Sequence, residues 1–129
     1  MTTTTGTVET RNGWVALGAG LGGLGVVLGA FGAHALKERL GVEQLEWWHT
    51  GVLYHALHAL ALVGWGLHRA WSGRGAAPGW CFALGIAVFS GTLYAMALGG
   101  PRWLGAVTPL GGTLLIAGWA LFAIQALRR

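Results

Sequence analysis

Four stretches of this sequence, each roughly 20 residues long, contain no charged residue. A hydrocarbon core of about 30 Å needs about 20 apolar residues at a helical rise of 1.5 Å. Because backbone polar groups in lipid must be satisfied within the segment, each stretch is predicted to be a helix. The expected fold is all-α, a single four-helix transmembrane domain at 13–129 after a polar N-terminal tail at 1–12. Its helices are expected at about 14–33, 50–67, 80–98 and 109–127.

The composition supports a membrane protein over two other classes. Charged residues make up 9% of the chain and hydrophobic residues 54%, which excludes intrinsic disorder. A soluble helical protein would need a charged face on at least some of the four segments, and none has one. The net charge is +4, but the basic residues lie singly or in pairs between apolar stretches and form no face that could follow nucleic-acid phosphates. The expected partner is therefore the lipid bilayer, with no nucleic acid.

Two local patterns complete the predicted layout. Between the first two helices, apolar and charged residues alternate at helical spacing, which predicts a short amphipathic segment on the membrane surface, interrupted near Gly41. Its apolar side is Leu36, Leu40, Leu45 and Trp48, and its polar side is Lys37, Glu38, Arg39, Glu43 and Glu46.

The start of the fourth helix can also be predicted. Thr108 suits its N-cap, and Pro109 suits the first helical position that follows. Ala33-His34-Ala35 resembles a signal-peptidase site, but the preceding apolar run exceeds the usual signal core.

Tryptophans and arginines place the segments relative to the membrane. Most tryptophans flank the apolar stretches, as in two aromatic belts. Trp65 fits the same belt as Trp71, whereas Trp119 lies in the middle of a segment. One side of the membrane carries Arg11, Arg69, Arg74, Arg128 and Arg129, and the other carries Lys37, Arg39 and Arg102. This bias predicts that both termini are cytoplasmic.

Small residues recur at helical spacing, which indicates close helix packing. The first helix has a continuous glycine stripe, and the third and fourth helices carry further small residues at similar intervals. The glycines expected at helix contacts are Gly18, Gly22, Gly25, Gly29, Gly91, Gly111 and Gly118. The pattern does not decide between packing within one chain, a homo-oligomer and contact with another membrane protein.

Polar side chains gather in the half of the bundle away from the termini. The candidate cluster is His34, His58, Ser90, Tyr94 and Thr108. The first interpretation is structural, with these groups hydrogen-bonded between helices. The second is a pocket for a small polar or lipid ligand. The third is a metal or haem centre on His34, His55 and His58, although no cofactor or metal is expected.

Signatures of catalysis are missing from the sequence. It contains no aspartate, and all four glutamates lie outside the apolar segments, so paired-carboxylate chemistry within the membrane is excluded. The single Cys81 is interpreted as a buried hydrophobe. The glycine runs lack the lysine and hydroxyl residue of a phosphate-binding loop. The chain is therefore not expected to be an enzyme.

Several motifs in order resemble one known family. They are the GAFGAHALK run ending the first helix, Tyr54 with HALAL at 58–62, FSGTLY at 89–94, and LGAVTPLGG at 104–112 with IAGW at 116–119. In order and spacing they resemble the domain of unknown function 423 family, similar to eukaryotic transmembrane protein 256. The resemblance covers nearly the whole chain after Trp14.

The resemblance implies a multi-pass protein of the bacterial inner (plasma) membrane and supplies no reaction. It supports His34, His58, Ser90, Tyr94, Thr108 and Pro109 as motif positions, and it ranks His55 lower because a polar amide is expected there. The leading interpretation is a non-enzymatic integral membrane protein that supports or associates with another membrane complex. The alternative is a ligand-binding or transport protein that uses the polar cluster.

Overall fold

The computed structural model describes residues 11–128, which form four helices and no β-strand within that range. They are α1 (Gly13–Phe31), α2 (Val42–Ser72), α3 (Ala77–Ala97) and α4 (Leu104–Leu127). A single π-helical turn, Gly32–Leu36, continues α1. All four helices are long and apolar enough to cross a membrane, so the predicted four-helix transmembrane bundle is confirmed. The tail at 1–10 lies outside the described residues.

The helices pack around a central pair. α2 packs along both α1 and α3, and α3 also packs along α4. α1 and α4 lie on opposite sides of the α2–α3 pair and leave most of their surface exposed. We call the end where α1 begins and α4 ends the lower end, and the other the upper end. The core between them includes Leu62, Trp65, Phe82, Ile86 and Leu115.

The helix ends differ from the sequence prediction in α2. This helix has 31 residues, or about 46 Å, and exceeds the hydrocarbon core by several turns. Its first two turns carry Glu43 and Glu46, whereas Lys37, Glu38 and Arg39 lie in the turn before it, so the predicted surface segment is divided between that turn and the start of α2. The division into sides was nevertheless right. Leu36 and Trp48 are buried against Ala97 in one apolar cluster, whereas Glu43 and Glu46 are exposed.

The structure also corrects the predicted starts of α4 and α3, which lie near Pro109 and Pro78. α4 begins at Leu104, so Pro109 lies inside the helix and Thr108 is not its N-cap. The Thr108 hydroxyl instead donates to the carbonyl of Leu104 at 3.1 Å, one turn earlier in the same helix. α3 begins at Ala77, which places Pro78 in its first turn. Proline is tolerated there because its missing N–H would have no partner within the helix.

Glycines allow the close contacts, with one exception. The first-helix stripe faces α2: a Cβ at Gly18 would lie 2.7 Å from Val63 Cγ2, and the same face continues through Gly22, Gly25 and Gly29. A Cβ at Gly111 would collide with the backbone of Phe89, and one at Gly118 would lie 2.8 Å from the Phe82 ring. Among the described residues, no atom lies within 4 Å of the place where a Gly91 Cβ would stand. No close approach of a neighbouring helix therefore requires glycine at position 91 among the described residues.

Two tryptophans do not lie where the belt pattern suggested. Trp65 is fully buried in the core and donates from Nε1 to Gln125 Oε1 at 3.0 Å. Trp48 is buried as well and donates from Nε1 to the carbonyl of Leu28 at 2.9 Å. The indole N–H explains why a buried tryptophan needs such a partner. Both residues connect neighbouring helices.

Candidate functional site

The five residues of the predicted polar cluster do not form one site. His34 is exposed in the π-helical turn at the upper end. Ser90 and Tyr94 contact α2 on the side of α1, His58 contacts α4, and Thr108 pairs with α3. The polar groups are therefore spread over three helix contacts, with His34, Ser90, Tyr94 and Thr108 toward the upper end and His58 near the middle of α2. His55, ranked low from the sequence, connects more helices than any of the five.

His55 joins three helices through both nitrogens of its ring. Nε2 lies 2.7 Å from the carbonyl oxygen of Leu21 in α1, and Nδ1 lies 2.9 Å from the Tyr94 hydroxyl in α3. A carbonyl only accepts, so Nε2 must carry a hydrogen. Nδ1 of the neutral ring then accepts from the Tyr94 hydroxyl. The partners thus select the Nε2–H tautomer of His55, which is 2% exposed.

The local sequence explains how His55 reaches both neighbours. Gly25 faces the imidazole from α1, where a Cβ would stand 3.5 Å from the ring. One turn earlier on α2, Gly51 leaves room for the Tyr94 ring, which lies 2.8 Å from a Cβ placed there. Ser90 then donates to the Gly51 carbonyl at 2.7 Å. Two glycines therefore let α1 and α3 approach α2 closely enough for these bonds.

His58 forms a second network on the side of α4. Trp119 donates from Nε1 to His58 Nε2 at 3.0 Å, and His58 Nδ1 lies 2.7 Å from the carbonyl oxygen of Tyr54. Because an indole N–H only donates, Nε2 is the acceptor and Nδ1 carries the hydrogen. The Tyr54 ring stacks on the imidazole, with ring centres 5.9 Å apart and planes inclined by 12°. His58 is therefore held in the opposite tautomer to His55.

A hydroxyl pair joins the remaining two helices. The Oγ1 atoms of Thr92 in α3 and Thr108 in α4 lie 2.7 Å apart. Each hydroxyl also lies within hydrogen-bond distance of a carbonyl one turn earlier in its own helix, that of Val88 or Leu104. Such hydroxyl bonds satisfy polar groups that lipid could not. Thr108 thus acts at the α3–α4 contact and not in a histidine cluster.

The histidine nitrogens are poorly arranged for a metal. All four ring nitrogens of His55 and His58 have hydrogen-bond partners, and a metal ligand would have to give up the lone pair that now accepts from Tyr94 or Trp119. His34, the third proposed ligand, is exposed outside both networks. Among residues 11–128, no group of three or more His, Cys, Asp or Glu side chains is arranged to hold a metal ion.

Two shallow grooves border the networks. One, of about 220 Å³, lies between α1 and α3 and is lined mainly by leucine, alanine and glycine, with His55, Ser90 and Tyr94 along it. The other, of about 400 Å³, lies between α2 and α4 and is lined by Tyr54, His58 and Trp119 together with apolar residues. Both grooves open on the sides of the bundle, where lipid chains would lie.

The reason for ranking His55 low also holds the clue that would have identified it as an inter-helix residue. The family resemblance leads us to expect a polar amide at this position, and an amide at this depth in a membrane helix would need partners on other helices just as an imidazole does. Gly51, one turn earlier on α2, and the glycine stripe of α1 leave room around the side chain at position 55. A polar residue flanked by small residues was therefore a better guide than the residue type alone.

This architecture is that of a small multi-pass membrane protein, with four membrane-length helices joined by short connections and hydrogen-bonded within the bundle. The chain belongs to the family described as "Protein of unknown function (DUF423)", whose profile matches residues 28–112. The resemblance found in the sequence is thereby confirmed.

Named relatives agree with this membership. The UPF0382 membrane protein YwdK of Bacillus subtilis (strain 168) is 42% identical over 118 residues, covering 89% of this chain and 96% of that protein. The UPF0382 inner membrane protein YgdD of Escherichia coli (strain K12) is 41% identical over 111 residues, 80% of each chain. A UPF0382 membrane protein of Staphylococcus haemolyticus (strain JCSC1435) is 39% identical over 113 residues, 87% of this chain and 93% of that one. No solved structure matches.

These findings identify a multi-pass protein of the bacterial inner membrane, with no biochemical role established for the family. None of the names of these relatives mentions an enzyme activity.

Proposed function

We propose that this protein is non-enzymatic and acts by associating, through the outer face of α1, with a transmembrane helix of another membrane protein. The observation that carries the proposal is a second stripe on α1, in which four of the five residues are glycine or alanine. The inner stripe packs on α2, and the outer stripe repeats the same steps of four, three, four and three residues on the opposite side. The outer stripe consists of Ala16, Gly20, Gly23, Val27 and Ala30.

The outer stripe is exposed and has space for a partner. All five of its residues are exposed, and a Cβ at Gly20 or Gly23 would meet no atom of the described residues within 4 Å. Small residues let two membrane helices approach closely enough for their backbones to make van der Waals contact. The exposed side of α4 presents large residues such as Leu110, Ile116 and Ile124 and serves as a comparison face within the same chain.

Non-enzymatic action is supported by the bonding of the polar groups. The histidines that a catalytic or ligand-binding role would need are occupied in bonds between and within helices. The α1–α3 groove is smaller than the roughly 300–1,000 Å³ of ordinary ligand pockets. The α2–α4 groove is larger, but the nitrogens of its histidine already have partners. These features favour association over the alternative of ligand binding or transport.

Photo-crosslinking in living cells tests the association. A photoreactive phenylalanine analogue placed at Val27, which is 63% exposed, should give a discrete adduct that contains a second membrane protein. The same analogue at Ile116, on the exposed face of α4, is the matched control and should give no discrete protein adduct. Gly20→Ile and Gly23→Ile should abolish the Val27 adduct, because their side chains fill the stripe, while a Cβ at either position meets no atom of residues 11–128 within 4 Å.

The outcomes separate the possibilities. An adduct of this chain with itself would replace the proposed partner by a homo-oligomer. Equal labelling at Val27 and Ile116, or no protein adduct at Val27, would overturn the proposal.

A further inference from the structure

A basic cavity lies at the lower end of the bundle, between the last turns of α2 and α4. It has a volume of about 290 Å³. Side chains from both helices and from the connection after α2 line it, namely His68, Trp71, Ser72, Arg74, Gln125 and Arg128. It is separate from the histidine networks and from the outer face of α1, so it is independent of the proposed function.

Hydrogen bonds hold the connection that carries Arg74 against both helices. Gly73 ends α2 with a left-handed φ of 66°, a conformation that favours glycine. Arg69 then donates from Nε to the carbonyl of Arg74 at 3.0 Å, and Gln125 donates from Nε2 to the carbonyl of Gly75 at 2.9 Å. Gln125 is itself fixed by Trp65 through its Oε1. The backbone that positions Arg74 opposite Arg128 is therefore well anchored.

The charges of the cavity are uncompensated among the described residues. Arg74 and Arg128 supply two guanidinium groups, whereas the glutamates at 38, 43 and 46 all lie at the upper end. Within residues 11–128 the one salt bridge joins Arg102 to Glu43, far from this cavity. A group with two positive side chains and no carboxylate among these residues attracts an anion.

One of the side chains that line the cavity has a buried polar atom without a partner among the described residues. Nδ1 of His68 is buried, and no hydrogen-bond partner for it occurs among the described residues. The ring is held between Trp71 and Phe122, with centres 5.6 and 5.5 Å away. A buried imidazole nitrogen normally has a partner, and Nδ1–H could donate to an anionic oxygen. Cavity, charge and unpaired donor therefore point to the same kind of ligand.

We infer that this cavity binds a phosphate group, carried by an anionic phospholipid or free in solution. Arginine guanidinium groups match phosphate oxygens with paired N–H donors. The cavity lies beyond the apolar parts of α2 and α4 and beside Trp71, at the level where lipid headgroups lie. Basic pockets between membrane helices suit anionic headgroups at this depth.

Lipid titration of the purified full chain in detergent, read by native mass spectrometry, tests the site. Phosphatidylglycerol should form a one-to-one adduct at a concentration at least about tenfold lower than phosphatidylcholine. Arg74→Gln and Arg128→Gln should each weaken the phosphatidylglycerol adduct about fivefold, the effect of about 1 kcal/mol per basic residue. Arg102→Gln at the upper end removes the same charge and should leave the adduct unchanged.

A charge-preserving variant and a competition experiment complete the test. The variant with lysine at both Arg74 and Arg128 keeps the charge and should retain most of the binding, even if one of the glutamine variants does not fold. Displacement of phosphatidylglycerol by millimolar inorganic phosphate supports the phosphate site and identifies the free ion as its ligand, whereas persistence of the lipid adduct identifies the headgroup. Equal affinity for the two lipids, or the same loss from Arg102→Gln as from Arg74→Gln, would overturn the inference.

Discussion

His55 and His58 lie one helical turn apart on α2, yet they belong to separate hydrogen-bond networks on opposite sides of the α2–α3 pair. His55 bonds to Leu21 of α1 and Tyr94 of α3, and His58 accepts from Trp119 of α4. One short stretch of α2 therefore connects to every other helix. The bundle depends on this stretch because the apolar surfaces of membrane helices contribute little hydrophobic drive to their association.

Replacing His55 should destabilise the bundle more than replacing any residue of the predicted cluster. His55→Ala removes two bonds between helices, each worth about 0.6 kcal/mol and at most about 1.7, and it leaves a cavity beside Gly25. We expect a loss of about 2–3 kcal/mol in the free energy of unfolding. Unfolding of the purified protein in mixed detergent micelles measures it.

His34→Ala is the matched control for that measurement. Its side chain is exposed in the π-helical turn, so the unfolding midpoint should remain that of the parent chain. Equal midpoints for the two alanine variants would contradict the central position given to His55.

The partners of the two imidazoles require a ring hydrogen on different nitrogens, Nε2 in His55 and Nδ1 in His58. The carbonyl of Leu21 requires a hydrogen on His55 Nε2, and the indole N–H of Trp119 requires an unprotonated Nε2 on His58. Nitrogen NMR of ¹⁵N-histidine-labelled protein in lipid at neutral pH should show one ring protonated at Nε2 and the other at Nδ1. Trp119→Phe should change the signals of His58 and leave those of His55 in place. Two rings in the same tautomer would contradict the assignment of donors.

Sequence reasoning predicted the number and type of helices because lipid imposes a simple requirement on length and composition. It misplaced the ends of α2 and α4, since hydropathy marks where the lipid ends and not where the helix ends. Glu43 and Glu46, for example, are exposed outside the apolar segment but still belong to the helix. Likewise, Pro109 looked like a helix start because proline is favoured there, but the Thr108 hydroxyl supplies a bond within the helix that starts earlier.

The polar site was harder to predict than the fold. Position in the sequence gives the approximate depth of a side chain along its helix: Ser90 and Tyr94 lie in the second half of α3, toward the upper end, whereas His58 lies near the middle of α2. The partner of each side chain depends on how the helices are rotated and paired, and a single sequence does not specify that. Small rotations decide whether His58 faces α3 or Trp119 of α4. His55 could have been found from the glycines that surround it.

Alanine at Gly111 and at Gly91 should have opposite consequences, although the sequence gives both glycines the same expected role. A methyl group at Gly111 would collide with the backbone of Phe89, which cannot move without separating α3 and α4. Gly111→Ala should therefore cost about 2 kcal/mol or more in unfolding free energy. Gly91→Ala meets open space and should be neutral or stabilising by about 0.5–1 kcal/mol, the helix-propensity gain. Unfolding midpoints of the two variants in the same detergent compare them, and equal losses would contradict the packing of α4 on α3.

Gly32 and Trp48 should show strong energetic coupling. The indole of Trp48 occupies the space next to Gly32, where a Cβ would collide with its Nε1 edge, and the same Nε1 donates to the carbonyl of Leu28. Gly32→Ala alone should force the indole away and break that bond, for a loss of about 2–3 kcal/mol. Trp48→Leu alone should also destabilise the protein, because it removes a buried ring. In the double variant the added methyl faces a smaller side chain, so the losses should be less than additive by about 1 kcal/mol or more. A double-mutant cycle of unfolding free energies measures this coupling, and additive losses would contradict the close contact between Gly32 and the indole.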